Sequence, residues 1–202
     1  ENARTMAEFH QQATELQMQA LRAQMSPHFI FNSLNSINRF ILQNESERAS
    51  EYLVKFSKLV RLILQNSQVP LITLESELES LELYLQLEAL RCEYRFEYKI
   101  NVPVGLDISA LKVPPLIIQP YAENAIWHGL MHKKERGHLE IDVSEEIDCL
   151  FFRIIDDGIG RNKAASLNTA STSMKKSLGS KITANRIEML QGSVGKELGV
   201  TI

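Results

Sequence analysis

His28 follows a proline inside an otherwise amphipathic helical pattern, "QMSPHFIFNSLNSI", and Asn32, Asn35 and Arg39 recur behind it at i+4, i+7 and i+11. That spacing gathers them on one helical face, so a polar stripe headed by an imidazole runs beside an apolar one. On the helix alone, an exposed histidine on a solvated face is the simpler reading. Three later stretches change the balance. In "DDGIG" (156–160), an acid is followed by two glycines that let backbone approach a ligand closely, and the carboxylate of Asp156 can accept hydrogen bonds from an exocyclic amine such as that of adenine. In "YAENAIWHG", Glu123, Asn124 and His128 punctuate an apolar helix, and an amide oxygen is a hard ligand suited to Mg²⁺. Lys175 and Lys176 lead into Gly179 and a helix N-terminus, where unsatisfied N–H groups and the helix dipole favour phosphate. Each stretch taken singly has an ordinary structural explanation as a turn, a core amide or a solvated loop. Together and in this order they are the parts of a nucleotide site.

The elements that must carry these residues fall into two groups. Along the first 44 residues, Met6, Phe9, Ala13, Leu16, Ala20, Ala23, Pro27, Ile30, Leu34, Ile37 and Ile41 recur at steps of three and four, a seam that calls for a partner helix. The proline is expected to kink that helix just before His28. "NESE" (44–47) resembles a capping box opening a second helix with Ala49, Leu53, Phe56, Val60 and Ile63 on one face. A hairpin of this kind cannot bury its seam and its phenylalanines alone, so two copies forming a four-helix bundle, a homodimer, is the expectation. After Pro70 the pattern changes. Thr73 can cap a helix that ends near Cys92, Phe96, Tyr98, Ile100 and Val102 alternate as a strand, residues 114–130 read as helical, and two more strands cover 139–143 and 150–155. The fold class is therefore α+β: a helical domain over 1–69, and over 70–202 a layer of helices on one face of a mixed sheet.

Composition excludes several classes. Net charge is −3 with interspersed signs, which argues against a nucleic-acid surface. Cys92 and Cys149 are far apart among apolar residues, so two buried thiols are expected rather than a disulfide or metal knuckle. No apolar run approaches the roughly 18 residues of a membrane span. The sequence opens without methionine in mid-pattern and stops at "GVTI" as a strand begins, as if cut from a longer chain.

"MSPHFIFNSLNSI", "QPYAENAIWHGL", "DDGIGR" and "SLGSKITANRI" resemble the H, N, G1 and G2 boxes of LytS/YehU-type sensor histidine kinases, from about residue 15 to residue 190. The resemblance implies a helical dimerisation domain followed by an ATP-binding domain of the GHKL (Bergerat) α/β-sandwich fold. It implies that His28 is the phosphoacceptor, Asn124 the Mg²⁺ ligand, Asp156 the adenine-contacting acid, and Gly158, Gly160 and Gly179 the backbone of the nucleotide pocket, with residues 161–178 as its lid. His128, Lys175 and Lys176 join the ATP-binding set. Phe29 stands where other histidine kinases carry an acid, so Glu123 is the candidate base, and Asn32 is a candidate for supporting phosphate release. Ser177 stands where a glycine is commonest in the G2 box. The implied activity is autophosphorylation from Mg-ATP and transfer to an aspartate of a response-regulator receiver domain. The fragment itself would not touch the membrane, being the cytoplasmic part of an inner-membrane sensor. The competing expectation is a non-catalytic dimeric signalling scaffold with a nucleotide-binding domain.

Overall fold

The structure is a computed structural model and describes residues 27–146 and 149–160. Its first helix, α1 (Pro27–Leu42), carries the histidine stripe; the upstream seam and the expected kink at Pro27 lie outside the described residues. α1 ends by a left-handed turn at Asn44, φ 58°. There the Glu45 N–H donates to the Phe40 carbonyl (2.9 Å) and the Asn44 N–H to that of Ile41 (3.0 Å), satisfying carbonyls that the helix end leaves open. Asn44 is thus the stop of one helix and not the capping box of the next. α2 (Ser46–Asn66) starts from Glu45, whose side chain makes no cap and instead accepts from Arg48 at 2.7 Å.

Within the chain α1 buries a stripe one position round from its expected seam, whereas α2 buries Ala49 and Ile63 of its expected face together with Tyr52 and Leu59. α1 turns Phe29, Ser33, Ser36 and Phe40 inward. Aromatic rings bury more area than the Leu and Ile they displace, and the two serines let Tyr52 approach and donate from its hydroxyl to Ser33 Oγ at 3.2 Å. Leu34, Ile41 and Leu53, all expected in the seam, remain about half exposed, at 50%, 58% and 49%.

α3 (Leu74–Arg91) packs on this pair. Its start is capped as expected, the Ser76 N–H donating to Thr73 Oγ1 at 3.1 Å. Phe29 meets Phe56 and Tyr84 with ring centroids 6.2 and 5.3 Å apart. Leu and Glu alternate closely along α3, and it is buried almost all round, Glu77 and Glu88 included. Burial raises the Glu88 carboxyl above its ordinary range despite the opposing charge and hydrogen bond of Arg91. A short antiparallel ribbon, β1 (Ile72–Thr73) with β3 (Lys112–Val113), returns the chain to the head of α3. There the N–H groups of Leu74 and Glu75 donate to the carbonyls of Leu111 and Ile108, and Glu77 Oε2 accepts from the Leu116 N–H at 2.7 Å.

Contacts divide the described chain into two compact units, 27–91 with Ile108–Leu116, and Cys92–Asp107 with 117–160. The chain therefore passes between them three times, and the grouping cuts across the expected division at residues 69 and 70. In the second unit, β2 (Phe96–Asn101) pairs parallel with β4 (Gly137–Glu146), which pairs antiparallel with β5 (Cys149–Asp156), in the order β2-β4-β5. Phe96, Leu139, Ile141 and Val143 fill its buried face. The parallel pair demands a long crossover, and that crossover holds α4 (Gln119–Asn124). Helix begins at Gln119 rather than at residue 114, because Pro114 and Pro115 withhold donors and Leu116 sits at φ 57°. Beyond Asn124 it widens into a π-helical turn, Ala125–Gly129, and tightens into a 3₁₀ turn, Leu130–His132. The architecture is mixed helix and sheet. Among the described residues no helix is long and apolar enough to cross a membrane. Cys92 is half-buried and Cys149 exposed, both as free thiols, correcting the expectation of two buried ones.

Candidate functional site

In the helical unit, His28 occupies the first described turn of α1 and is exposed. The Asn32 carboxamide nitrogen, one turn on, lies 3.1 Å from Nδ1 and 3.3 Å from Nε2. An amide N–H can donate only to a ring nitrogen with a free lone pair, so this contact belongs to the neutral imidazole. Asn35 is exposed on the same face, whereas Arg39 leaves the stripe to donate from Nη2 to the Arg91 carbonyl at 3.0 Å.

The second unit assembles the other candidates. Asn124 closes α4 and His128 lies in the π turn; both are exposed, and Glu123 is half-buried. Asp156 ends β5. Its Oδ1 accepts from the Gly158 N–H at 2.9 Å, the two-residue loop that short acidic side chains favour. The same oxygen lies 2.6 Å from where a Cβ on Gly129 would stand, and a Cβ on Gly158 would lie 2.5 Å from the Gly129 backbone. The two glycines, from motifs 29 residues apart, thus allow strand end and helical turn to meet with the carboxylate between them. Ile159 N–H donates to the Gly129 carbonyl at 3.4 Å across this junction. Gly160 has φ 76° and open space around it. Asn124 and Asp156 therefore sit at two ends of one helix–strand arrangement, while Lys175, Lys176, Gly179 and the expected lid lie outside the described residues. His28 and the Asp156 cluster belong to different compact units.

Two features were not singled out in the sequence. Gly129 meets Gly158 and the Asp156 carboxylate only in space, and Asp157 is engaged with residues remote from it in sequence. Desolvation pushes the Asp157 carboxyl upward. It is outweighed by hydrogen bonds from Lys133 and from the backbone and ring of His138, with the Lys133 charge, which hold it well below the usual carboxylate range. No group of three or more His, Cys, Asp or Glu among the described residues is arranged to hold a metal ion.

Comparison with known proteins bears on these placements. A family model described as "Histidine kinase" matches residues 16–96, which include His28, α1 to α3 and the start of β2. The chain is 34% identical over 146 residues to "Sensor protein LytS" of Staphylococcus epidermidis, covering 72% of this chain and 24% of the relative. It is 35% identical over 185 residues to "Sensor histidine kinase/phosphatase LytS" of Staphylococcus aureus, covering 90% of this chain and 31% of the relative. The chain thus spans 24% to 31% of the length of these curated relatives. On the family match and on 35% identity over 90% of its length, the chain belongs to the LytS-type histidine kinase family.

Proposed function

We propose that the chain is the kinase core of a two-component sensor histidine kinase, in which His28 takes the γ-phosphoryl group of Mg-ATP and hands it to an aspartate of a response-regulator receiver domain. The observation that carries this reading is the exposed His28 imidazole with the Asn32 carboxamide 3.1 Å from Nδ1, within the stretch that matches histidine kinases. Once the Asn32 amide releases it, the ring nitrogen's lone pair would attack the γ-phosphorus, ADP would leave with the bridging oxygen, and the ring would lose its remaining N–H proton to a base, with Glu123 the candidate.

In this reading residues 117–160 form part of a GHKL ATP-binding domain. Asp156 accepts from the adenine amine, Gly158 and Gly160 line the pocket with Gly179, and His128, Lys175 and Lys176 meet the phosphates. The carboxamide oxygen of Asn124, exposed where α4 widens, is a hard donor fit to hold Mg²⁺, which supplies charge neutralisation at the phosphates. The half-exposed Leu34, Ile41 and Leu53 are the surface through which a second copy would complete a four-helix bundle. The same Asn32 contact is suited to orienting water against a phosphohistidine, a phosphatase role. The chain would be the cytoplasmic part of a membrane-anchored sensor.

Incubation with γ-labelled Mg-ATP should give acid-labile, alkali-stable label in the native chain and none in His28→Gln. Demonstrable ATP binding without label would favour the dimeric scaffold over the kinase, and steady ATP turnover surviving His28→Gln would sink the phosphohistidine.

A further inference from the structure

Asp156 and Asp157 are consecutive, yet they are engaged in different ways. Asp156 faces Gly129 and Gly158, as described. Asp157 is bound back onto the head of β4. Its Oδ1 accepts from the His138 backbone N–H at 2.8 Å, and its own N–H donates to the His138 carbonyl at 3.2 Å. Its Oδ2 lies 2.9 Å from His138 Nδ1 and 2.8 Å from Lys133 Nζ. The ring is held from its other side, Nε2 lying 3.2 Å from Glu97 Oε1 on β2. Lys133 is fixed in turn, its carbonyl accepting from Arg95 Nη2 at 3.0 Å and its N–H donating to the carbonyl of Leu130, the first residue of the 3₁₀ turn.

The β4–β5 ladder ends with the pair Leu139 and Asp156. One residue further on, past the last ladder pair, a strand end would ordinarily fray. There the side chain of Asp157 bonds to the backbone and ring of His138 on β4 and to Lys133, which lies just past the 3₁₀ turn that follows Gly129. A shift of the Asp157 backbone displaces Asp156, because the two share a peptide plane.

We propose that Asp157, His138 and Lys133 are positioning residues that aim the Asp156 carboxylate at the exocyclic amine of the nucleotide base. The proposal rests on the reading of Asp156 as the adenine-contacting acid. It assigns no ligand contact to Asp157 itself, and it predicts an effect on the choice of base rather than on affinity for phosphate.

ATP and ITP separate these effects, since ITP carries a carbonyl where ATP carries the amine. Binding of each to the whole chain is measured by calorimetry for the native protein and for Asp156→Asn, Asp157→Asn and Lys133→Met, with a thermal melt of each variant. The native chain is expected to prefer ATP. Asp157→Asn is expected to weaken ATP about tenfold while ITP changes by less than about twofold, the loss of one charge-assisted contact. Lys133→Met is expected to move the same way by less, and it decides the matter if Asp157→Asn fails to fold. Equal losses for both nucleotides in the variants, or none, would overturn the positioning role. A native chain with no preference for ATP would overturn the Asp156 reading and the positioning role with it. A preference abolished by Asp156→Asn but left whole by Asp157→Asn and Lys133→Met would overturn the positioning role alone.

Discussion

Gly129 and Gly158 face one another across the same junction, but a methyl group added to each would meet different obstacles. At Gly129 the nearest atom is the tip of the Asp156 side chain, 2.6 Å away, while at Gly158 it is the Gly129 backbone, 2.5 Å away. A side-chain tip can swing aside and backbone cannot. Gly129→Ala is therefore expected to leave the melting temperature nearly unchanged while weakening ATP binding about tenfold, through a displaced Asp156. Gly158→Ala is expected to destabilise the second unit by about 1–3 kcal/mol, seen as a lower denaturation midpoint. Both effects in Gly129→Ala would mean that the junction is rigid as a whole. At this scale the sequence draws the eye to the acid, the amide and the histidine as candidates, because each is an unusual residue type in its pattern. It concealed Gly129 and Asp157, whose importance lies in neighbours remote in sequence.

Among the elements, strands were the most legible: Phe96 to Asn101 and the two later strands appear where alternation placed them, most clearly in Gly137–Glu146, where buried Leu139, Ile141 and Val143 alternate with more exposed polar residues, whereas Cys149–Asp156 alternates only between half-buried and exposed positions. Helix edges were less so. "NESE" satisfies a capping pattern, but Asn44 is spent on ending α1, and only one helix end can use it. The stripe that α1 buries within the chain lies one position round from the seam expected to meet a second copy, and it escaped notice because Ser33 and Ser36 read as polar although both are buried. At the end of α3 the sequence gives no turn signal at all. Glu93 and Tyr94 both take positive φ, 52° and 54°, in a turn closed by the Arg95 N–H on the Cys92 carbonyl at 3.1 Å. Two side chains with Cβ atoms in that region are strained, whereas Asn-Gly takes it readily. Replacing the pair as Glu93→Asn with Tyr94→Gly is expected to raise stability by about 1 kcal/mol in urea titration. An unchanged or lowered midpoint would show that the native side chains have compensating contacts.

Across the whole molecule, the segment Ile108–Leu116 belongs with α1 to α3 although it lies in sequence between β2 and α4. Its hydrogen bonds to Leu74, Glu75 and Glu77 give it a fixed seat only when α3 is present. Residues 92–202 expressed alone should therefore melt with less cooperativity than residues 70–202, which retain α3 and the β1–β3 ribbon; equal cooperativity in scanning calorimetry would show that the segment finds another seat. The same threading bears on how such chains could be rearranged over evolutionary time. A recombination joint at residue 91, however well it respects helix and strand, separates a segment from the helix that anchors it. A joint upstream of Ile72 inherits both, so α3 and the strands beyond it are transmissible together and not piecemeal.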